Sequence, residues 1–351
     1  MIQKIYFFLC CFFLCLEPQT QLFSDTYQSL GVQTLQYTDP TRNRLVTVEL
    51  WYPTDQTEPV DIALDTEWIH PREIRNAPLS KKQETFPLLL MSHGHKGDRR
   101  EKSWLAGILA KQGYIIASVD HYGDTRSTFD PLLSVCFWHR TLDFSFVLDE
   151  LEKEPFILNQ FDQKRIGFIG YSLGGMTGLG LAGAKAQNTQ AIVLQSIKQY
   201  TGLNTDKISQ IDFSISEKNY LEPRIKAALL ICPAAFVYSA KNLKQIKIPI
   251  GLIATIGDEV LPHQKHAYQI IKHAIPKKLK IMKKEISHYS FLNQISKAGE
   301  KFFHKNTHHT LSFRDKARIH KEAGLFAINF FKETLKQDTR LTNLKKSREG
   351  T

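Results

Sequence analysis

Apolar and polar residues follow two rhythms along this chain. Val46, Val48, Leu50 and Tyr52 alternate with more polar neighbours, so residues 31–53 read as a β-hairpin or a pair of strands. Phe86–Met91 (FPLLLM) is a short unbroken apolar run, the pattern of a strand covered on both faces. A helical pattern follows at Trp104–Gln112, a strand at Tyr114–Val119, and a second helix at Thr141–Leu151, where Leu142, Phe146 and Leu148 stand near helical spacing. Arg165–Tyr171 reads as a strand, and Gly174 opens a helix of small residues that includes Gly178, Gly180, Ala182 and Gly183. Ala191–Leu194 and Lys226–Cys232 read as two further apolar strands, with the polar segment at about 197–224 inserted between them. Pro249–Ile256 predicts a strand, His263–His273 a helix and Leu279–Met282 a strand. A last amphipathic helix covers about 314–335, with Ala323, Phe326, Ala327 and Phe330 at i, i+3, i+4 and i+7.

Short apolar strands alternating with helices predict the α/β class, with a central, mostly parallel sheet and helices on both faces. In such sheets ligands bind beyond the carboxyl ends of the strands. A chain of 351 residues with 42% hydrophobic content supports one large domain, here over residues 25–340, with 341–351 as a polar tail.

The first 24 residues stand apart. Lys4 precedes an unbroken apolar run from Ile5 to Leu16, and polar residues begin at Glu17, the order of a secretory signal peptide. The run is shorter than the roughly 20 residues of a spanning helix. The expected location is therefore secreted or periplasmic, with membrane anchorage through residues 5–16 as the alternative. Of five cysteines, Cys10, Cys11 and Cys15 fall in this segment, leaving Cys136 and Cys232, which allow one bridge at most. Cys232 lies in an apolar strand and reads as a buried free thiol.

The net charge of +11 comes mainly from scattered lysines, as in Lys241-Asn-Leu-Lys244 and Lys277-Lys278. A nucleic-acid stripe would cluster them on one element with aromatics between. The pattern reads as a solvated basic surface without a nucleic-acid partner, and attraction to an anionic membrane surface or an acidic substrate is the alternative.

Three polar clusters follow three apolar strands. Gly170-Tyr171-Ser172-Leu173-Gly174 is G-x-S-x-G between a strand and a helix, the nucleophile elbow. Gly170 and Gly174 offer no Cβ to the tight turn, and the Leu173 N–H points to where an oxyanion would form. Asp258 follows the strand IPIGLIATI and a glycine, which favours it over Glu259, and His288 follows the strand LKIM. Ser172, Asp258 and His288 thus stand in the chain order of the α/β-hydrolase fold. A serine hydroxyl needs a base to become nucleophilic, and the acid orients that base. The second oxyanion donor is expected from Ser92-His93-Gly94-His95, with the His95 N–H as the choice and His93 as a structural hydrogen-bonder. His263, His266 and His273 read as solvated, and His308-His309 resembles a metal pair only superficially. No metal or organic cofactor is implied.

Several of these segments together resemble the bacterial predicted dienelactone hydrolase group of α/β hydrolases and, more distantly, plasma-type platelet-activating-factor acetylhydrolases. They are LWYP at 50–53, SHG at 92–94, RTLDFSFVLDEL at 140–151, GYSLGG at 170–175, EPRIKA at 222–227, GDEVLP at 257–262 and SHYSFL at 287–292. The resemblance implies Ser172, Asp258 and His288 as triad, with His95 and Leu173 as oxyanion donors. Dienelactone hydrolases use a cysteine nucleophile where this chain has serine. The acetylhydrolases take their acid from the strand after the nucleophile helix, and the stretch assigned to that strand here, AIVLQS, carries Gln195 and no carboxylate.

The expected activity is hydrolysis of a carboxylic ester, of a lipid or of a short acyl chain, through an acyl-enzyme. A phospholipase A2 or platelet-activating-factor acetylhydrolase type of lipid hydrolase and a polyester or cutinase-like hydrolase are alternatives. A non-enzymatic binding protein on the same fold would predict a broken triad. The segment 197–224 is a candidate lid.

Overall fold

The protein is described by a computed structural model that covers residues 25–57, 67–200, 205–303 and 313–336. The signal-like segment, the tail at 341–351 and His308-His309 lie outside the described residues.

The strands are β1 (Ser29–Asp39), β2 (Arg44–Thr54), β3 (Trp68–Ile69), β4 (Ile74–Arg75), β5 (Phe86–Ser92), β6 (Ile115–Asp120), β7 (Phe161–Tyr171), β8 (Ile225–Ile231), β9 (Ile250–Thr255), β10 (Lys278–Met282) and β11 (Gln294–Ile295). The helices are α1 (Ser103–Ala110), α2 (Pro131–Val135), α3 (Trp138–Leu151), α4 (Leu173–Leu181), α5 (Thr189–Tyr200), α6 (Ala240–Leu243), α7 (Ala267–His273), α8 (Lys297–Phe303) and α9 (Phe313–Thr334). Nine strands form one sheet in the order β10-β9-β8-β7-β5-β6-β2-β1-β4. From β6 to β10 neighbouring strands run parallel, while β2 is antiparallel to both β6 and β1. This is the α/β-hydrolase fold.

Alternation along the strands explains the two-layer cover. Leu88 and Leu90 of β5, Ile166 and Phe168 of β7, and Ala228 and Leu230 of β8 pack with Phe144 and Leu148 of α3, Leu179 of α4 and Ile270 of α7. Their neighbours Leu89, Met91, Ile169, Ala227 and Leu229 face the other way, onto Leu105 and Leu109 of α1 and Ala323, Ala327 and Phe330 of α9. A run apolar at every position is what two covered faces require.

One element departs from expectation. Ala191–Leu194 is not a strand but lies within the first two turns of α5. A run of four apolar residues does not separate strand from helix. Here Val193 and Ile197, one helical turn apart, are buried together. Ile197 joins Ile208 and Ile211 in a third apolar cluster with Phe137, Trp138, Met176 and Val237, so the segment expected as an insertion packs over the starts of α3 and α4.

Several buried histidines are neutral by construction. Burial, reinforced by the cation of Arg140, holds His121 down at about 4. Burial and Lys316 hold His320 at about 3, stacked on Trp104 with ring centroids 4.0 Å apart. Unfolded, each imidazole takes up a proton below about pH 6.5; folded, it does so only near its lowered value. The unfolded chain then binds more protons, so stability is complete above about pH 6.5 and falls as pH drops toward 4, by about 1.4 kcal/mol per pH unit for each such histidine. Urea titrations at pH 7 and pH 5 should show a clearly lower midpoint at pH 5. Equal midpoints would mean that these rings are not buried neutral.

Candidate active site

β7 delivers Tyr171 to the sheet edge and α4 begins at Leu173, leaving Ser172 alone in the turn at φ 55°, ψ −116°. A Cβ on Gly170 would stand 2.2 Å from the Gly174 carbonyl oxygen, and one on Gly174 would stand 2.3 Å from the Ser92 carbonyl oxygen. Both distances are far inside contact, so glycine at both positions lets strand, helix and the end of β5 meet. A non-glycine residue held at positive φ is the kind of local strain that clusters at functional sites.

The turn points the serine at a histidine. Ser172 Oγ lies 3.0 Å from His288 Nε2, and His288 Nδ1 lies 2.8 Å from Asp258 Oδ2. The three residues stand on loops that follow β7, β9 and β10, all at the carboxyl ends of parallel strands. Asp258 Oδ1 accepts the backbone N–H groups of Val260 (3.1 Å) and Leu261 (2.6 Å), which fixes the carboxylate plane. His288 opens a 3-10 turn capped by Ser287 and Ser290. Its backbone N–H donates to Glu259 Oε2 at 3.1 Å, and the Tyr171 hydroxyl donates to its carbonyl at 3.0 Å. With Asp258 accepting from Nδ1–H, Nε2 is left to accept from the serine hydroxyl.

The expected oxyanion donors, Leu173 and His95, lie on the two segments that border Ser172. The Ser172 carbonyl accepts from Gly175, Met176 and Ala234 N–H groups at 3.0 to 3.3 Å. The N–H of Leu173 belongs to the same trans peptide and must point the opposite way. Gly94 borders the nucleophile, since a Cβ added there would lie 3.3 Å from Ser172 Cβ. Neither the Leu173 nor the His95 N–H has a hydrogen-bond partner among the described residues. His93 is buried, accepts the His121 N–H at Nε2 (3.1 Å) and donates from Nδ1 to the Gly94 carbonyl (2.6 Å).

A second Ser–His–Asp chain lies behind the site, and sequence reasoning missed it. Ser92 Oγ stands 2.9 Å from His121 Nε2, whose Nδ1 stands 2.8 Å from Asp143 Oδ2. These distances match the first chain, but the setting does not. Ser92, His121 and Asp143 are all 0% exposed, whereas Ser172 is 8% exposed. Asp143 is further bound by Arg44 through two contacts of 2.7 and 3.0 Å and by Arg42 at 2.9 Å. Burial alone would raise its carboxyl, but Arg44 and the His121 bond outweigh it and hold it far below the usual range. Ser92 also sits in regular strand, with no turn to lift it out. Spacing gave no sign of this chain, whose members are 29 and 22 residues apart, on β5, on the loop after β6 and on α3.

Cys232 was also missed as a neighbour of the acid. It follows β8 at φ 43° and is buried, with its thiol within 4.8 Å of the Asp258 carboxylate. Burial first, then the Asp258 charge, push the thiol well above its ordinary value. Donor atoms of Cys232, Asp258 and His288 lie within 4.8 Å of one another. Asp258 and His288 are already bonded at 2.8 Å. Two ligands of a zinc ion, each at about 2.0–2.2 Å, would need to stand about 3.3 Å apart or more. A metal would therefore have to open that hydrogen bond. Cys136 and Cys232 are both buried and unbridged. His266, expected in solvent, is half-buried and accepts the Ala235 N–H at 3.3 Å. The correction to α5 also moves the position compared with the acetylhydrolases. The strand after the nucleophile helix is β8, and the residue at its end is Cys232, not Gln195.

The family model described as X-Pro dipeptidyl-peptidase (S15 family) matches residues 62–202, a stretch that includes the elbow and the loop after β5. No curated protein matches the chain in sequence. Among solved structures, the chain is similar to a ferulic acid esterase from Streptomyces cinnamoneus, with a TM-score of 0.59 and 20% identity over 88% of this chain and 90% of that one. The likeness establishes the α/β-hydrolase fold for nearly the whole chain.

Proposed function

We propose that this protein is a serine hydrolase that cleaves carboxylic esters, of lipids or of short acyl chains, through an acyl-enzyme. The observation that carries the reading is the Ser172–His288–Asp258 chain, with the serine held at positive φ in the turn between β7 and α4. His288 takes the Ser172 proton as Oγ attacks the ester carbonyl carbon, and the N–H groups of Leu173 and His95 receive the oxyanion. As the tetrahedral adduct collapses, the C–O bond to the alcohol breaks and His288 gives the proton to that oxygen. Water then repeats the sequence on the acyl-Ser172 ester, with His288 as base. Asp258 holds the imidazole in the needed tautomer. The resemblance to the dienelactone hydrolase and acetylhydrolase groups supports ester substrates, and the signal-like segment and scattered basic charge are compatible with an exported protein acting on lipid or short-chain acyl esters. No described helix is long and apolar enough to cross a membrane.

The match to the S15 model favours a second reading, cleavage of a peptide after an X-Pro unit. The same proton relay would serve an amide, so substrate decides. Wild type should turn over p-nitrophenyl acetate and butyrate far faster than an X-Pro p-nitroanilide, and the reverse preference would install the peptidase reading.

Labelling by a fluorophosphonate probe separates the two Ser–His–Asp chains. Ser172→Ala should abolish labelling. Ser92→Ala should keep it, at a stability cost of about 1–3 kcal/mol for the orphaned His121 acceptor. Labelling that survives Ser172→Ala and vanishes with Ser92→Ala would reverse the assignment. Asp258→Asn, which leaves packing intact but favours the wrong imidazole tautomer, should lower kcat by roughly 10⁴-fold. A loss below tenfold in a steady-state assay would remove Asp258 from the relay.

A further inference from the structure

We propose that Arg140, a residue with no path to substrate, is the positioning residue of the oxyanion site, acting through the carbonyl of Gly94. The inference rests on the ester-hydrolase reading above.

A trans peptide holds its C=O and its N–H in opposite directions. Whatever fixes the Gly94 carbonyl therefore aims the His95 N–H. Three donors converge on that oxygen: Arg140 Nη2 at 3.1 Å, His93 Nδ1 at 2.6 Å and the Gly97 N–H at 3.2 Å. Arg140 Nη1 also donates to the preceding carbonyl, that of His93, at 2.8 Å. One planar guanidinium thus holds two successive carbonyls of the loop after β5, in the fixed fork geometry that an ammonium lacks. Arg140 is 2% exposed and comes from α3, so it acts from behind the loop.

Its charge is met by Asp124, whose Oδ2 lies 2.8 Å from Arg140 Nη2. The other oxygen of Asp124 accepts the Lys96 N–H at 3.2 Å and faces His95 Nδ1 at 3.0 Å. The pair therefore grips the loop at 93 and 94 through Arg140, and at 95 and 96 through Asp124. The peptide between Gly94 and His95 lies in the middle of this grip and beside Ser172. A buried guanidinium commonly serves packing alone. The placement of its donors on the donor peptide's own carbonyl and on the carbonyl before it is what assigns this one to the oxyanion.

The test uses full-length protein and p-nitrophenyl butyrate, with turnover counted per serine titrated to completion by fluorophosphonate. Arg140→Met should lower kcat per titrated site by about 10²- to 10³-fold, the loss known for removing one oxyanion donor. KM should stay within about threefold. Arg140→Lys, able to hold one carbonyl, should fall between it and wild type. Affinity for a trifluoromethyl ketone, whose adduct carries the oxyanion, should fall in parallel with kcat. A purely structural role would instead reduce the number of titratable sites and leave kcat per site unchanged, and that result overturns the proposal. Should both variants fail to fold, Asp124→Asn keeps the guanidinium and removes its counter-charge. A wild-type kcat per site there overturns the proposal, and a loss with unchanged KM supports it. A wild type that neither labels nor turns over esters would remove the ester-hydrolase reading itself, and the inference with it.

Discussion

Strands that end at a reactive site leave their last carbonyls without ladder partners, in a place where burial shuts out water. Buried backbone polar groups must nevertheless be paired. Around β5 that demand is met by charge. Arg140 takes the carbonyls of His93 and Gly94, Asp124 answers Arg140, and Asp143 with Arg44 anchors the same corner through His121 and Ser92. Each buried ion is tolerable only because the next one is present, since removing one partner strands the other in a medium of low polarity. The corner therefore stands or falls as a unit. The loop that faces Ser172 inherits its rigidity from charges that never meet the substrate.

This dependence explains why two Ser–His–Asp chains can share one molecule and do different work. Hydrogen-bond lengths do not separate them. What separates them is the backbone and the company of the acid. Ser172 is held at positive φ between a strand and a helix, while Ser92 lies in regular strand. Asp258 spends its second oxygen on two backbone N–H groups, so its charge remains available to a forming imidazolium. Asp143 is neutralised by two arginines, and Arg140 stands near His121 as a further cation opposing protonation of the ring. A base that resists becoming charged is suited to bracing a fold and poorly suited to taking a proton from serine.

The sequence was legible where local pattern and tertiary demand coincide. The apolar strands, the elbow glycines, and the order of serine, acid and histidine could all be read because each has a signature within a few residues. AIVLQS could not, because four apolar residues satisfy either period and only the burial of Val193 with Ile197 decides for helix. The Arg140–Asp124 clamp and the Ser92–His121–Asp143 chain were invisible for another reason. Their members are joined by sheet order, and that order brings β5 and β6 together beside α3 without leaving a mark on spacing. His266 failed similarly, since its exposure depends on the loop after β8 that closes over it.

The choice of β9 for the acid has a physical corollary at β8. The turn at Cys232 brings its thiol within 4.8 Å of the Asp258 carboxylate. A carboxylate at that turn would place two like charges in a buried space, and one of them would have to take up a proton. The two strand ends therefore cannot both supply an ionised acid to one histidine. A buried thiol resolves the conflict, because burial and the Asp258 charge both keep it protonated and neutral. Asp258 keeps its bonds to His288 and to the N–H groups of Val260 and Leu261. A neutral side chain at that turn is thus the complement of the acid's position after β9.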